Sequence, residues 1–143
     1  MIVLASNQPE QLDSAVKDRC DVTVLFPLPG KPERLQMLRH YFQTNILQPC
    51  LNPKSEGLFS FFTKRRALSP DDNVLDNLET ILEEVAEKTD GLSGRAINKL
   101  VTSWEQSLYQ SVEGQLTKEM MMEKVEQFMS DKAQKETWEA HEL

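Results

Sequence analysis

Residues 2–30, "IVLASNQPEQLDSAVKDRCDVTVLFPLPG", decide how the rest of the chain is to be read. The run Ile2-Val3-Leu4-Ala5 is continuously apolar, as in a strand covered on both faces. It stops at Ser6 and Asn7. Pro9 opens a short helical segment over 9–18, in which Leu12, Ala15 and Val16 share a face. Val22-Thr23-Val24-Leu25-Phe26 predicts a second strand, rich in β-branched residues. Pro27 and Pro29-Gly30 end it, because proline cannot donate to a ladder. Two strands alone bury almost nothing. The pattern therefore predicts that the other strands of this sheet lie upstream, outside the chain.

After Gly30 the period changes from two to three and four. Pro32 suits a first helical turn, and Leu35, Leu38, Phe42 and Ile46 form one stripe. Pro49 is expected just past the end of that helix. Residues 50–73 are irregular, holding Pro53, Gly57 and Pro70 around "LFSFFTKRR". Leu58, Phe59, Phe61 and Phe62 beside Lys64, Arg65 and Arg66 could contact nucleic acid or membrane. The plainer expectation is a connector with packed aromatics and solvated cations. A second helix is expected over about 74–88, with Leu75, Leu78, Leu82, Val85 and Ala86 inward and Glu79, Glu83, Glu84 and Glu87 opposite. Gly91 is placed to cap its end. Ser93 is placed to start a third helix with Ile97, Leu100, Val101, Trp104 and Leu108 inward. Gly114 ends the next connection. Thr117 caps a fourth helix, with Leu116 stapled onto Met121. Met121, Met122, Val125, Phe128 and Met129 read as core, although methionine also suits adaptable surfaces. Residues 131–143 are charged and expected to fray, with Trp138 able to dock back. The fold class is thus an α/β fragment over 1–30 followed by an all-α domain over 31–143.

Composition narrows the function. A net charge of −7 over 143 residues argues against a general nucleic-acid surface, and equally against an anionic membrane face. No direct nucleic-acid contact is expected. No apolar run approaches the ~20 residues of a membrane span, and residues 1–5 offer no signal peptide. Cys20 and Cys50 make no disulfide framework and no metal spacing, so reduced thiols inside a cell are expected. His40 and His141 lack partners at ligand spacing, and no metal site is expected.

Three polar positions could carry chemistry. Asn7 ends a strand on the edge where open α/β sheets bind ligands, and its amide can hold a water or a phosphate oxygen. The alternative is a turn cap with Pro9. Arg19 offers a permanent, planar cation suited to phosphate. The alternative is an ion pair with Asp18 or Asp21. Arg95, in "DGLSGRAI", falls in the first turn of the third helix just past Gly94. Helix N-termini attract anions and disfavour cations, so an arginine there is suited to an anion rather than to the dipole. Gly30-Lys31 is not a phosphate loop, because Leu25 stands where a second glycine is required and Pro32 where Ser or Thr is required. No strand ending in Asp-Glu supplies an acid for magnesium.

Read together, "VLASNQPEQLDSAVKDRCDVTVLFPLPG" resembles the second region of homology of the AAA ATPases. "KPERLQMLRHYF" resembles the first helix of their lid, and "TDGLSGRAINKLV" their sensor-2 region. "GLSGRAINKLVTSWEQSLYQSVEGQLTKEMM" is similar to a mitochondrial inner-membrane branch of the family. The resemblance implies that 1–30 are the last strands of a nucleotide-binding domain and 31–143 its helical lid. It implies that Asn7 is sensor 1, Arg19 a trans-acting arginine finger, and Arg95, beside Gly94, sensor 2. Where many members carry a second finger arginine, this chain has Val22. The family implies ATP with magnesium, a homo-oligomeric ring, and a mitochondrial location. The family's Walker A and Walker B elements are not in these residues, so the chain is not expected to hydrolyse ATP by itself. The alternative is a non-catalytic helical module that docks on a full-length relative. A clamp-loader lid is a weaker rival, poorly matched from Trp104 to Met122.

Overall fold

The computed structural model of the chain describes residues 2–6, 8, 11–51 and 69–141, except the side chains of residues 136 and 139–141. Asn7 and most of the irregular insert, "LFSFFTKRR" included, lie outside the described residues.

Helix α1 (Ser14–Lys17) is one turn, capped by Asp13, whose side chain accepts from the Ala15 N–H. Helix α2 (Lys31–Phe42) begins behind the extended Gly30, with proline in its first turn. Its axis continues through a π-helical turn (Gln43–Leu47) into α3 (Gln48–Leu51). Pro49 therefore lies inside the helical run, where the sequence predicted it just beyond. A proline withdraws one N–H from the i→i−4 ladder, and the wider turn immediately before it takes up that change of register.

Strand β1 (Ser69–Pro70) pairs in parallel with β2 (Gln115–Leu116). The Ser69 N–H donates to Gly114 O at 3.1 Å and the Asp71 N–H to Leu116 O at 3.0 Å. The ladder thus uses the residues on either side of Pro70, and the missing proline donor costs nothing there. The two runs expected as strands do not form this sheet. Residues 2–6 and 22–30 have no regular secondary structure and no ladder partners among the described residues, and Ile2, Val3, Leu4, Val22, Val24, Leu25 and Phe26 are exposed. The physical reason is the lack of a neighbour: a strand is defined by hydrogen bonds to another strand, and none among the described residues runs beside them.

The expected second helix is two, α4 (Asp72–Asp76) and α5 (Leu78–Lys88). They break at Asn77, whose φ of −112° and ψ of 16° are not helical. Its side-chain amide donates to Asn73 O and Oδ1, an alternative to helix that asparagine readily adopts. The break rotates the stripe. Leu75, expected inward, is exposed, and Ile81 is buried in its place beside Leu82, Val85 and Ala86. Helix α6 (Gly94–Gln110) buries Ile97, Leu100, Val101, Trp104 and Leu108 as its spacing predicts. Helix α7 (Lys118–His141) follows Thr117, whose hydroxyl accepts from the Met120 N–H at 3.4 Å. Helix α7 persists through the charged 131–141 region where fraying was expected, and Trp138 is 65% exposed rather than docked.

The core lies where α2, α5, α6 and the first half of α7 meet. Trp104 is fully buried, edge-on to Phe42 with ring centroids 6.4 Å apart. Its indole N–H donates to Met121 O at 3.1 Å, so the largest core residue also meets its polar requirement. Leu116, Met121 and Val125 are buried against it, whereas Met122, Phe128 and Met129 pack at the margin.

Candidate functional site

The turn between α5 and α6 places Gly94 and Arg95, and its construction is unusually complete. Thr89 closes α5: its N–H and its buried hydroxyl both donate to Val85 O, at 3.0 and 2.8 Å. Gly91 then takes φ +71°, a left-handed conformation that favours glycine. Leu92 is buried and anchors the turn in the core. Ser93 caps α6, its hydroxyl accepting from the Ala96 N–H at 3.3 Å. Gly94 packs closely on α2: a Cβ there would stand 3.4 Å from the Met37 sulfur. Arg95 is exposed on the first turn of α6.

Two cations from other helices hold this turn. Lys132 of α7 donates to Asp90 O at 3.3 Å and to Gly91 O at 3.1 Å. Arg34 of α2 is buried, and its Nε and Nη2 both donate to Ala86 O, at 3.1 and 3.0 Å. Its Nη1 donates to Pro29 O at 2.9 Å and pairs with Asp90 Oδ1 at 2.9 Å. Each of the three guanidinium nitrogens has a partner, as a buried arginine requires. Sequence reasoning passed over Arg34. The available signal was its spacing: it stands four residues before Leu38 and eight before Phe42, on the face that α2 buries.

Arg19 follows α1, with its N–H on Val16 O at 3.2 Å and its side chain exposed. Among the described residues no ion pair joins it to Asp18 or Asp21. Gly94 and Arg95, adjacent in the sequence, share the first turn of α6, Arg19 follows α1 on a separate segment, and Asn7 lies outside the described residues. An exposed guanidinium beside a helix N-terminus is chemically suited to a phosphate oxygen. Among the described residues no three His, Cys, Asp or Glu side chains gather as a candidate metal site. Cys20 is exposed and Cys50 half-buried, both as free thiols, and burial raises the Cys50 thiol above its ordinary pKa. No helix among the described residues is long and apolar enough to cross a membrane.

Comparison with known proteins bears directly on the class. No family model matches the chain, and no solved structure does. Curated proteins do match, over nearly all of it, and by name they are AAA domain-containing ATPases. The particular relatives are ATPase family AAA domain-containing protein 3. The chain is 38% identical to the Homo sapiens protein 3A over 96% of its own length and 21% of that protein's. It is 42% identical to the Caenorhabditis elegans protein over 82% of its length and 18% of that protein's. The Drosophila melanogaster 3A homolog is 36% identical over 96% of the chain and 20% of the relative. The chain therefore spans about a fifth of the length of the curated relatives it matches, and the resemblance read from its motifs is borne out.

Proposed function

We propose that the chain supplies the lid, and the strands leading into it, of an AAA-type ATP hydrolysis site. Residues 1–30 are the end of the nucleotide-binding domain and 31–143 the helical lid. Arg95, backed by Gly94, meets the terminal phosphate of its own subunit's ATP. Asn7 orients the attacking water. Arg19 reaches the ATP of the neighbouring subunit across a homo-oligomeric ring, where a cation stabilises charge on the transferring phosphoryl group. The phosphate loop and the acidic magnesium site belong to other residues than these. A mitochondrial location forms part of the same proposal and follows the resemblance alone.

The observation that carries this reading is an exposed arginine in the first turn of α6, on a terminus fixed by three helices, within a chain similar to AAA ATPases along almost its whole length. The test is a chimera in which this chain replaces the matched segment of the Homo sapiens relative. Hydrolysis is measured with Arg19→Ala and with Arg95→Ala. Each is expected to lower turnover by about 10³-fold or more, with rings intact by sedimentation. Unchanged turnover in intact rings overturns the assignment of that arginine.

A second reading is favoured by the exposed apolar residues of 2–28: a non-catalytic module that docks on a full-length relative. Adding the isolated chain to that relative separates the two. Dominant inhibition of hydrolysis supports docking, and no effect removes it.

A further inference from the structure

Residues before Gly30 and the helical body beyond it are joined at one well-made point. Among the described residues, the side-chain hydrogen bond that crosses this joint is Arg34 Nη1 to Pro29 O, at 2.9 Å. The same nitrogen is bound to Asp90 of the turn that carries Gly94 and Arg95. The other edge of the guanidinium is fixed on Ala86 O at the end of α5. Pro29 and Gly30 make the joint itself, with Gly30 extended at φ −72° and ψ 177° and its carbonyl receiving the Arg34 N–H at 2.9 Å.

We propose that Arg34 is a positioning residue that couples the segment before Gly30 to the α5–α6 turn. It sets the angle at which that segment leaves the helical body. The geometry requires this double role. A planar guanidinium presents donors in fixed directions, so Pro29 O cannot swing away without giving up the nitrogen that also holds Asp90. A displacement of the segment is therefore felt at the turn, and a displacement of the turn at the segment. Lysine cannot replace it, because one ammonium cannot span Ala86 O, Pro29 O and Asp90 in one plane. The inference rests on the proposed function for what the joint serves, namely linking the nucleotide-binding domain to the lid arginine. The coupling itself is a property of this chain and is tested without nucleotide.

The test is pulsed electron spin resonance on the full chain, with Cys20→Ser and Cys50→Ser removing the native thiols. One spin-label pair, Leu28→Cys with Lys99→Cys, spans the joint. A second pair, Glu83→Cys with Lys99→Cys, lies within the helical body. With Arg34 present, both distance distributions are expected to be narrow. Arg34→Gln is expected to widen the first about twofold or more and leave the second unchanged, because a local opening is independent of global unfolding. Arg34→Lys is expected to behave like Arg34→Gln, and it keeps the readout available if the glutamine variant fails to fold. A broad first distribution in the native chain overturns the proposal. So does a narrow one in either variant, and so does equal widening of both pairs, which marks a merely structural residue. Failure here leaves the Arg95 assignment standing, and failure of the hydrolysis test leaves these distances unchanged.

Discussion

At the residue scale the α5–α6 turn and Trp104 decide most. Gly91→Ala forces an L side chain to φ +71° and sets its Cβ 2.6 Å from Lys132 Nζ. A loss of about 1 kcal/mol or more in chemical denaturation is expected. Trp104→Phe removes the donor to Met121 O and leaves a gap, and Trp104→Ala is expected to cost about 3–5 kcal/mol. The Trp104 stripe was legible because α6 runs without interruption and its apolar spacing matches the helical period along its length. Arg34 was not legible as a core residue, because its type signals solvent and only its register places it inside. Its burial is tolerable because two backbone carbonyls and Asp90 satisfy it. Arg34→Leu removes those donors together, leaving the buried Ala86 carbonyl without that partner, and about 2–3 kcal/mol of destabilisation is expected.

At the scale of elements, caps and breaks were read with unequal success. Ser93 and Thr117 cap their helices where the sequence put them, because each acts through its own neighbours. Gly91, expected to cap α5, stands two residues past Thr89, which closes that helix, and its positive φ serves the turn instead. Asn77 was missed because helix propensity changes little at a single asparagine, while its side chain offers the backbone a competing hydrogen bond. The two apolar runs before Gly30 read as strands, yet pairing is a property of two segments, and neither run has a ladder partner among the described residues. The ion pairs of Glu79 and Glu84 lie at the surface and respond to acid. The hydrogen bond from Arg39 holds the Glu79 carboxyl below its ordinary value of 4.5. Lys88 and then Lys118 do the same for Glu84, and its own N–H and then Thr117 for Glu119. For each, the folded pKa lies below the unfolded one. Its contribution is present above about pH 4.5 and is lost as pH falls through the folded value. Thermal unfolding is expected to be nearly flat in pH above that point and to weaken below it. In Glu84→Gln the acid-side decline should be shallower, and an identical decline would remove Glu84 from the cause. Because these groups are exposed, the effect is small and fades with salt.

At the scale of the whole molecule, the described helices from Lys31 onward share one core, and most large apolar side chains described before Pro29 stand in water. Exposed apolar patches on this scale mark surfaces made for contact. Residues 2–5 and 22–26 are expected to become strands when further polypeptide lies beside them. The class of protein was legible because the order and spacing of three motifs survive in a linear sequence. The placement of Arg19 relative to Arg95 was not, because it is a tertiary relation between two segments that no local spacing encodes. Backbone hydrogen exchange measures the claim directly, in the isolated chain and in the chimera with the Homo sapiens relative. The account predicts free exchange at residues 2–5 and 22–26 in the isolated chain and protection by about 10²-fold or more in the chimera. Protection already present in the isolated chain, or absent from a folded chimera, would contradict it.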